Sequence, residues 1–233
     1  MVGALACSVV LAGCTSTVRG TATFAGDGST GEIPSSSPPD AAHLQSTLAV
    51  FEDLPAGWSD TYADDYDDWT LPTLAECPGG TDTISRREVV RGGDVFENEY
   101  GDQVSSVVAS FRSQDDVDSD TALLTDPEAA GCLSPEFDEG LESLPSGVAD
   151  FGAVTFTITP GSSGGPSNVV ATASGHYTVT LTTGETFPAY FDYVFLTGRM
   201  TEAQIFLRST VVPFPADTRA LVVGAVPQRL AAL

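Results

Sequence analysis

Polar and apolar residues alternate along several stretches of the chain, and this two-residue period is typical of strands that bury one face of a sheet. The turn Tyr100-Gly101-Asp102 lies between two of these stretches, so we expect it to close a hairpin. The predicted strands are residues 84–91, 95–100, 103–111, 153–159, 169–182, 186–196 and 203–210.

Other stretches carry apolar residues at the spacing of a helix that buries one side. Asp40 and Ser113 are placed to cap two of these helices, and Asp115 and Asp116 then fall in the first turn of the second. The predicted helices are residues 41–51, 114–124, 135–144 and 215–233. The residues predicted to face inward in the last helix are Leu221, Val222, Ala225 and Leu230.

The order of these elements indicates the fold class. Strands precede a helical middle, further strands follow, and a helix closes the chain. This order predicts a single α+β domain at residues 41–233, in which helices cover one face of an antiparallel sheet. A domain of this length can bury a sizeable core.

The first residues carry the most specific motif in the chain. Leu11-Ala12-Gly13-Cys14 ends an apolar run and resembles the cleavage and lipidation box of bacterial lipoproteins. The resemblance implies that Cys14 takes a diacylglyceryl group and becomes the mature N-terminus, with residues 1–13 removed as a signal segment. Because an export signal should open with Lys or Arg and this segment has neither, we expect the translation start to lie upstream. The alternative is a buried strand or helix that ends at a chance cysteine.

Residues 14–40 form the next segment, which is rich in Ser, Thr, Gly and Pro and poor in large apolar side chains. Ordering such a segment would cost conformational entropy with little burial in return. We therefore expect a disordered tether with an end-to-end distance of roughly 30 Å. The apolar run that precedes this segment is not expected to span a membrane, because spanning needs roughly 20 apolar residues and polar residues from Thr15 to Arg19 end the run early.

The charge of the chain excludes one class of partner. There are 32 acidic residues against 9 basic ones, all of them Arg, and the net charge is -23. Such a surface repels nucleic-acid phosphates and anionic lipid headgroups. We expect no nucleic-acid partner, and a contact with the cell membrane that is made on its extracytoplasmic side by the N-terminal lipid. The absence of Lys also resembles the composition of proteins from high-GC actinobacteria.

Two cysteines remain for the folded domain, because Cys7 lies in the signal segment and Cys14 takes the lipid. Cys77 and Cys132 form an even pair outside the cytoplasm, which predicts a disulfide bond. The bridge should stabilise the fold by roughly 2 to 4 kcal/mol. Two free thiols or half of a metal site are the alternatives, although the separation of these cysteines matches no zinc motif.

Some short motifs resemble functional sites but have simpler explanations. Residues 60–69 combine Asp with Tyr and Trp and could hold Ca²⁺ or bind a cationic or sugar ligand, yet their spacing matches no calcium loop, so we interpret them as a solvated loop. Residues 116–120 mimic the start of an EF-hand loop that fails at Thr121, where Gly is needed, so the first turn of a helix explains them better. Gly161-Ser162-Ser163-Gly164-Gly165 has the letters of a nucleophile elbow without the helix that must follow.

The supply of catalytic side chains is small. The histidines are His43 and His176, and neither has a Ser or Cys directly beside it, although a triad can assemble across a fold. We therefore expect no catalytic residue, no cofactor and no metal ion. The cationic segment with Arg86, Arg87 and Arg91 could bind a carboxylate or phosphate, but we interpret it as a source of ion pairs with the acidic surface.

Several of these segments together resemble actinobacterial sensor-type lipoproteins. They are the lipidation box with its tether, Leu54-Pro55-Ala56-Gly57-Trp58, Cys77-Pro78, residues 104–111 and Gly131-Cys132-Leu133. The domain is also distantly similar to the extracellular sensor domain of a mycobacterial membrane serine/threonine kinase. That sensor domain has two disulfides, so the cleft framed by its second bridge is not implied here, and the resemblance supplies no catalytic residues.

These observations lead to the hypothesis of a lipid-anchored, non-catalytic lipoprotein that binds a ligand or acts as a sensor. The binding surface would be a groove between the sheet and its helices. We expect a monomer whose ligand or protein partner belongs to the cell envelope. The alternative is a structural or assembly factor that docks on another envelope protein, and an envelope hydrolase comes third because catalytic side chains are scarce.

Overall fold

The computed structural model describes residues 37–61, 77, 80, 82, 84–126, 147–161 and 168–233. Several predictions fall outside these ranges and stay predictions. They concern the lipidation site at Cys14, the tether up to residue 36, residues 62–69 of the acidic segment, the helix at 135–144 with Cys132, and the elbow-like residues 162–165.

Within the described ranges, a sheet of 9 strands forms the centre of the domain, and all of its strand pairs are antiparallel. The strands are β1 Trp58–Thr61, β2 Arg87–Gly92, β3 Val95–Asn98, β4 Gln103–Phe111, β5 Val148–Phe151, β6 Thr155–Pro160, β7 Val169–Leu181, β8 Thr186–Gly198 and β9 Thr201–Thr210. Their order is β1-β3-β4-β9-β8-β7-β5, with β2 also paired to β4 and β6 to β7.

The described helices are α1 Ala41–Gln45, α2 Gln114–Leu124 and α3 Ala216–Leu230, with short 3-10 turns at Phe51–Asp53 and Ile84–Arg86. Together with the antiparallel sheet they confirm the predicted α+β class. The hairpin between β3 and β4 is also confirmed, because Gly101 adopts a φ of 80° and its N–H donates to Asn98 O at 3.0 Å. This backbone conformation favours glycine.

The first helix ends earlier than the apolar spacing predicts. Ser46 Oγ donates to His43 O at 2.6 Å, and Thr47 Oγ1 donates to Leu44 O at 2.8 Å, so side chains occupy carbonyl oxygens near the helix end. Arg229 then donates to the carbonyl oxygen of Leu48 at 2.7 Å. These contacts hold residues 46–50 out of the helix, and only a 3-10 turn follows at Phe51–Asp53.

Strand alternation divides the side chains of the sheet between two faces. On the first, called the α1/α3 face, the following residues pack together: Leu44 and Leu48 of α1, Val222, Val226 and Leu230 of α3, and Val104, Val108, Val194, Ile205 and Leu207 of the sheet. On the second, called the α2 face, Val117 of α2 packs against Val107, Ala109 and Phe111. The prediction that helices cover one face is therefore wrong. Both faces of the central strands carry apolar side chains, so both need cover.

The last helix ends at Leu230 rather than at residue 233, and one of its predicted inward positions is exposed. Val222 and Leu230 are buried as expected, but Leu221 is 53% exposed. Pro227 lies inside the helix, where it cannot donate a backbone hydrogen bond. Asn168 Nδ2 donates to the carbonyl oxygen of Pro227 at 2.8 Å, and this contact joins the start of β7 to the helix.

Candidate ligand-binding site

The described helices cover only part of the α1/α3 face, and most side chains of β6 and β7 on this face are exposed. The side chains of these two strands on this face are short and polar, apart from one histidine. The exposed ones are Thr155, Thr157, Thr159, Ser174, His176 and Thr178. Thr155 pairs with His176 and Thr157 with Ser174, which places them on one surface.

A groove lies where this open surface meets the segment that leads into α3. It has a volume of about 240 Å³ and is lined by Ser174, His176, Tyr190, Asp192, Pro213 and Phe214. We call it the His176 groove. The groove expected from the sequence lies between the sheet and its helices, whereas this one lies between the sheet and the segment that precedes α3; it contains one of the two histidines that the sequence singled out.

Aromatic rings form two sides of the His176 groove. His176 and Tyr190 are partners across the β7–β8 ladder, and their ring centroids are 5.9 Å apart. Phe214 stands on the other side, where its ring packs on Trp58 with a centroid distance of 6.1 Å. Ser209 Oγ donates to Val212 O at 2.7 Å, and this bond holds the segment that carries Phe214.

The polar residues of the groove are close in the ladder but do not form a catalytic triad. Ser174 pairs with Asp192, and His176 is two residues farther along β7. The carboxylate of Asp192 lies 3.4 Å from Arg219 Nε rather than on the imidazole. Within the described ranges, no hydrogen bond joins Ser174, His176 and Asp192, and a triad requires those bonds. The arrangement can bind polar groups and stack on rings.

The α2 face carries a continuous row of aromatic rings, here called the aromatic row. Its neighbouring ring centroids are 4.7 to 6.4 Å apart, within the range of favourable ring contacts. The row consists of Phe151, Tyr177, Phe191, Tyr193, Phe195 and Phe206. Burial raises the pKa of the Tyr193 phenol, so this side chain stays neutral.

Polar side chains lie beside the aromatic row on β4 and β9. Each contributes a buried atom with no hydrogen-bond partner in the part of the chain that the structure describes. These atoms are Ser105 Oγ, Glu202 Oε1, Gln204 Oε1 and Arg208 Nε, and we call the four residues the polar stripe. An unsatisfied buried polar group requires an explanation in any native structure.

Glu202 shows how α2 meets the polar stripe. Burial, together with the nearby Asp120, raises the pKa of Glu202 to about 9, and Arg87 opposes this shift. The carboxyl of Glu202 is therefore protonated at neutral pH and can donate to Asp120. Burial would also raise the pKa of Asp116 on α2, but hydrogen bonds from Arg86 and Ser113 hold it below its ordinary value.

The other residues singled out by the sequence take structural positions. Arg86 Nη1 pairs with Asp116 Oδ1, which confirms the interpretation of this arginine as an ion-pair partner. Arg91 Nη1 donates to the carbonyl oxygen of Val90 at 2.6 Å. His43 Nδ1 lies 2.8 Å from Asp40 Oδ1 on the exposed start of α1, and His43 does not line the His176 groove.

The first turn of α2 accounts for part of the EF-hand-like segment. Ser113 Oγ caps the helix by accepting the N–H of Asp116 at 3.4 Å, as the sequence predicts. Among the described residues, no group of three or more His, Cys, Asp or Glu is placed to hold a metal ion. No helix in the same part of the chain is long and apolar enough to cross a membrane.

Sequence reasoning missed Tyr190 and Asp192 in the groove, as well as the polar stripe. Glu202 and Gln204 alternate with the apolar residues of β9, and that alternation is also what a solvent-facing edge would show. A possible signal was their place in a strand long enough to lie in the centre of the sheet. No protein family model matches the chain, and no curated protein is significantly similar to it.

Proposed function

We propose that this protein is a lipid-anchored, extracytoplasmic lipoprotein that binds a ligand or acts as a sensor without catalysis, and that the His176 groove is its binding surface. The observation that carries the proposal is the groove itself. His176 and Tyr190 present rings beside the Asp192–Arg219 ion pair, on a surface otherwise made of short hydroxyl side chains. The lipid on Cys14 and the tether at residues 14–40 would hold this surface outside the cell.

The chemistry of the groove suits a small ligand with a flat ring and polar substituents. An imidazole can donate and accept hydrogen bonds, and the Tyr190 ring offers an apolar face with a hydroxyl at its edge. Asp192 adds an acceptor in the groove, and Arg219, whose Nε lies 3.4 Å from that carboxylate, adds a donor next to it. A ligand with groups of both kinds could use all of them.

The test is a binding experiment on the purified, detergent-extracted lipoprotein. It would be incubated with fractions of a cell-envelope extract and analysed by native mass spectrometry for a stoichiometric adduct. His176→Ala and Tyr190→Ala should lose the adduct. Thr178→Ala is the matched control, because Thr178 is exposed on the same strand and the same face but does not line the groove.

Two results would end this proposal. One is the absence of any adduct from the wild-type protein. The other is turnover of a generic ester, peptide or glycan substrate that disappears in His176→Ala. The second result would make the protein an envelope hydrolase, with His176 acting on a substrate in the same groove.

The predicted disulfide between Cys77 and Cys132 belongs to this proposal. Cys77 is 4% exposed and packs with Leu123 and Leu124 at the end of α2. A bridge from this position would secure α2 to the loop that precedes β2. Intact mass measured before and after alkylation, without and with a reducing agent, tests whether the bridge exists.

A structural or assembly factor is the second candidate, and the turn after β9 favours it. Val211 and Val212 are 62% and 58% exposed, and Val211 has a φ of 74°. A β-branched residue is rarely held in this backbone region. Exposed apolar side chains on a strained turn suit contact with another protein. Crosslinking in membranes would then capture one dominant protein, and Val212→Asp should abolish the capture.

A further inference from the structure

The polar stripe of the α2 face contains buried hydrogen-bonding atoms that have no partner among the described residues. Gln204 is 3% exposed, Ser105 is 4% exposed and Glu202 is 8% exposed. A buried polar atom without a partner lowers stability, and native proteins contain few of them. Three such residues on two neighbouring strands are therefore not explained by folding alone.

The same side chains are satisfied elsewhere in the domain. Ser106 follows Ser105 in β4, faces the opposite side with equal burial, and accepts the N–H of Ala49 at 2.9 Å. Gln114 begins α2, and its Oε1 accepts the N–H of Met200 at 2.8 Å. Serine and glutamine are therefore not left without partners throughout this fold, whereas three such residues cluster on neighbouring strands of the α2 face.

The stripe has the dimensions of a small molecule. Glu202 and Gln204 alternate along β9, so their Cα atoms are about 7 Å apart. Ser105 lies across the ladder from Phe206, and is therefore diagonal to Gln204. The rings of Phe206 and Tyr193 have centroids 4.7 Å apart and form an apolar wall beside the polar atoms. A molecule of one or two rings covers this distance.

The atoms of the stripe match hydroxyl groups better than charges. Gln204 Oε1 accepts, Arg208 Nε donates, and Ser105 Oγ can do either. A hydroxyl group both donates and accepts, so a polyol can satisfy all three. The nearby Asp116 and Asp120 disfavour an anion, while Arg87 and Arg208 disfavour a cation.

We propose that the polar stripe, with the rings of Tyr193 and Phe206, forms a second binding site for an uncharged polyol or carbohydrate of one or two rings. This site lies on the face opposite the His176 groove and does not depend on it. Its ligand would supply hydrogen bonds to Ser105 Oγ, Glu202 Oε1 and Gln204 Oε1.

The first test measures thermal unfolding without ligand. Gln204→Leu removes the unsatisfied amide and keeps its bulk, so we expect unfolding about 2 to 4 °C higher than in the wild type. Ser105→Ala should also leave the protein as stable or more stable. Ser106→Ala is the control, because it breaks the bond to Ala49 and should lower the unfolding temperature. Gln204→Leu or Ser105→Ala unfolding lower, as the control does, would overturn the proposal.

The second test measures binding of glucose, maltose and myo-inositol to the full-length protein by calorimetry. The wild type should bind at least one of them, and Gln204→Leu and Ser105→Ala should weaken that binding at least tenfold. Ser106→Ala should bind as the wild type does. No binding by the wild type at millimolar concentrations would overturn the proposal. His176→Ala should leave sugar binding unchanged, so failure of the groove and failure of this site are distinguishable.

Discussion

The two faces of the sheet differ in how their buried polar groups are hydrogen-bonded. On the α1/α3 face, Arg229 donates to the carbonyl oxygens of Thr47 and Leu48 and to the carboxylate of Asp53, and these bonds join α3 to the chain after α1. On the α2 face, the polar stripe is buried with atoms that have no partner among the described residues. The comparison separates polar groups that hold elements together from polar groups that remain available for a ligand.

One pair on the α1/α3 face also lacks partners, and its geometry explains why. Ser110 Oγ and Thr201 Oγ1 are buried without hydrogen bonds, but the two residues are opposite each other in the β4–β9 ladder. Rotation of either hydroxyl can join such cross-strand Ser and Thr side chains. Gln204 has Val107 and Phe195 as its ladder partners, so rotation gives it no such bond.

The largest effect that we expect concerns the α2 face at Cys77. Cys77→Ala should lower the free energy of unfolding by about 3 kcal/mol, because it removes the predicted bridge to Cys132 and opens the closed loop in the unfolded chain. Urea unfolding monitored by circular dichroism measures the change. Cys132→Ala should cost the same, and the double variant no more than either alone. Costs that add in the double variant would contradict the bridge.

Arg229→Ala tests the bonded groups of the α1/α3 face and should lower the free energy of unfolding by about 2 to 3 kcal/mol. We expect a smaller loss than for a fully buried ion pair, because the arginine is partly exposed. The Asp53 side chain is only 8% exposed, and it would keep a charge without its cation. Urea unfolding again provides the measurement. Arg229→Lys is the control, since it keeps the charge but loses the planar fork and should recover part of the loss. A change below the measurement error would show that these bonds do not hold α3.

Local patterns predicted the fold where local residues determine it. The observed bounds of β4 and α2 match the predicted ones, and the Ser113 cap fixes the start of α2 through contacts within a few residues. The end of α1 could not be predicted, because Arg229 contacts Thr47 across 182 residues of sequence. The cover on both faces and the polar stripe depend on which strands become central. That order is set by long-range pairing.

The pH dependence of stability in Glu202→Gln tests whether the polar groups of the α2 face are buried at a cost to the fold. The Glu202 carboxyl releases its proton near pH 4.5 in the unfolded chain and at about pH 9 in the folded protein, because burial and Asp120 disfavour its charge. The stability that the neutral carboxyl contributes to the folded protein is fully present below pH 4.5. It is lost as the pH rises through about 9. Glutamine stays neutral, so the free energy of unfolding of the variant should gain on that of the wild type by about 1.4 kcal/mol for each pH unit between pH 5 and pH 8.

Urea unfolding at several pH values measures this difference between Glu202→Gln and the wild type. Asp116, Asp120 and Arg87 also face this carboxyl, and all three are unchanged in the variant. Their own titration therefore contributes to both proteins and cancels in the difference. A difference that does not vary with pH would mean that Glu202 is already ionised in the folded protein.

The smallest effect should come from the edge of the α1/α3 face, where polar groups are bonded but reach water. The Arg219 and Asp192 side chains are 33% and 20% exposed, and their closest N–O distance is 3.4 Å. Arg219→Ala should change the free energy of unfolding by less than about 0.5 kcal/mol, because water replaces the lost contact. Ligand binding in the groove should weaken in the same variant, since a donor is lost at the opening. A loss of unfolding free energy as large as that of Arg229→Ala would place this ion pair with the groups that stabilise the fold. The groove would then not be a surface that is available to a ligand.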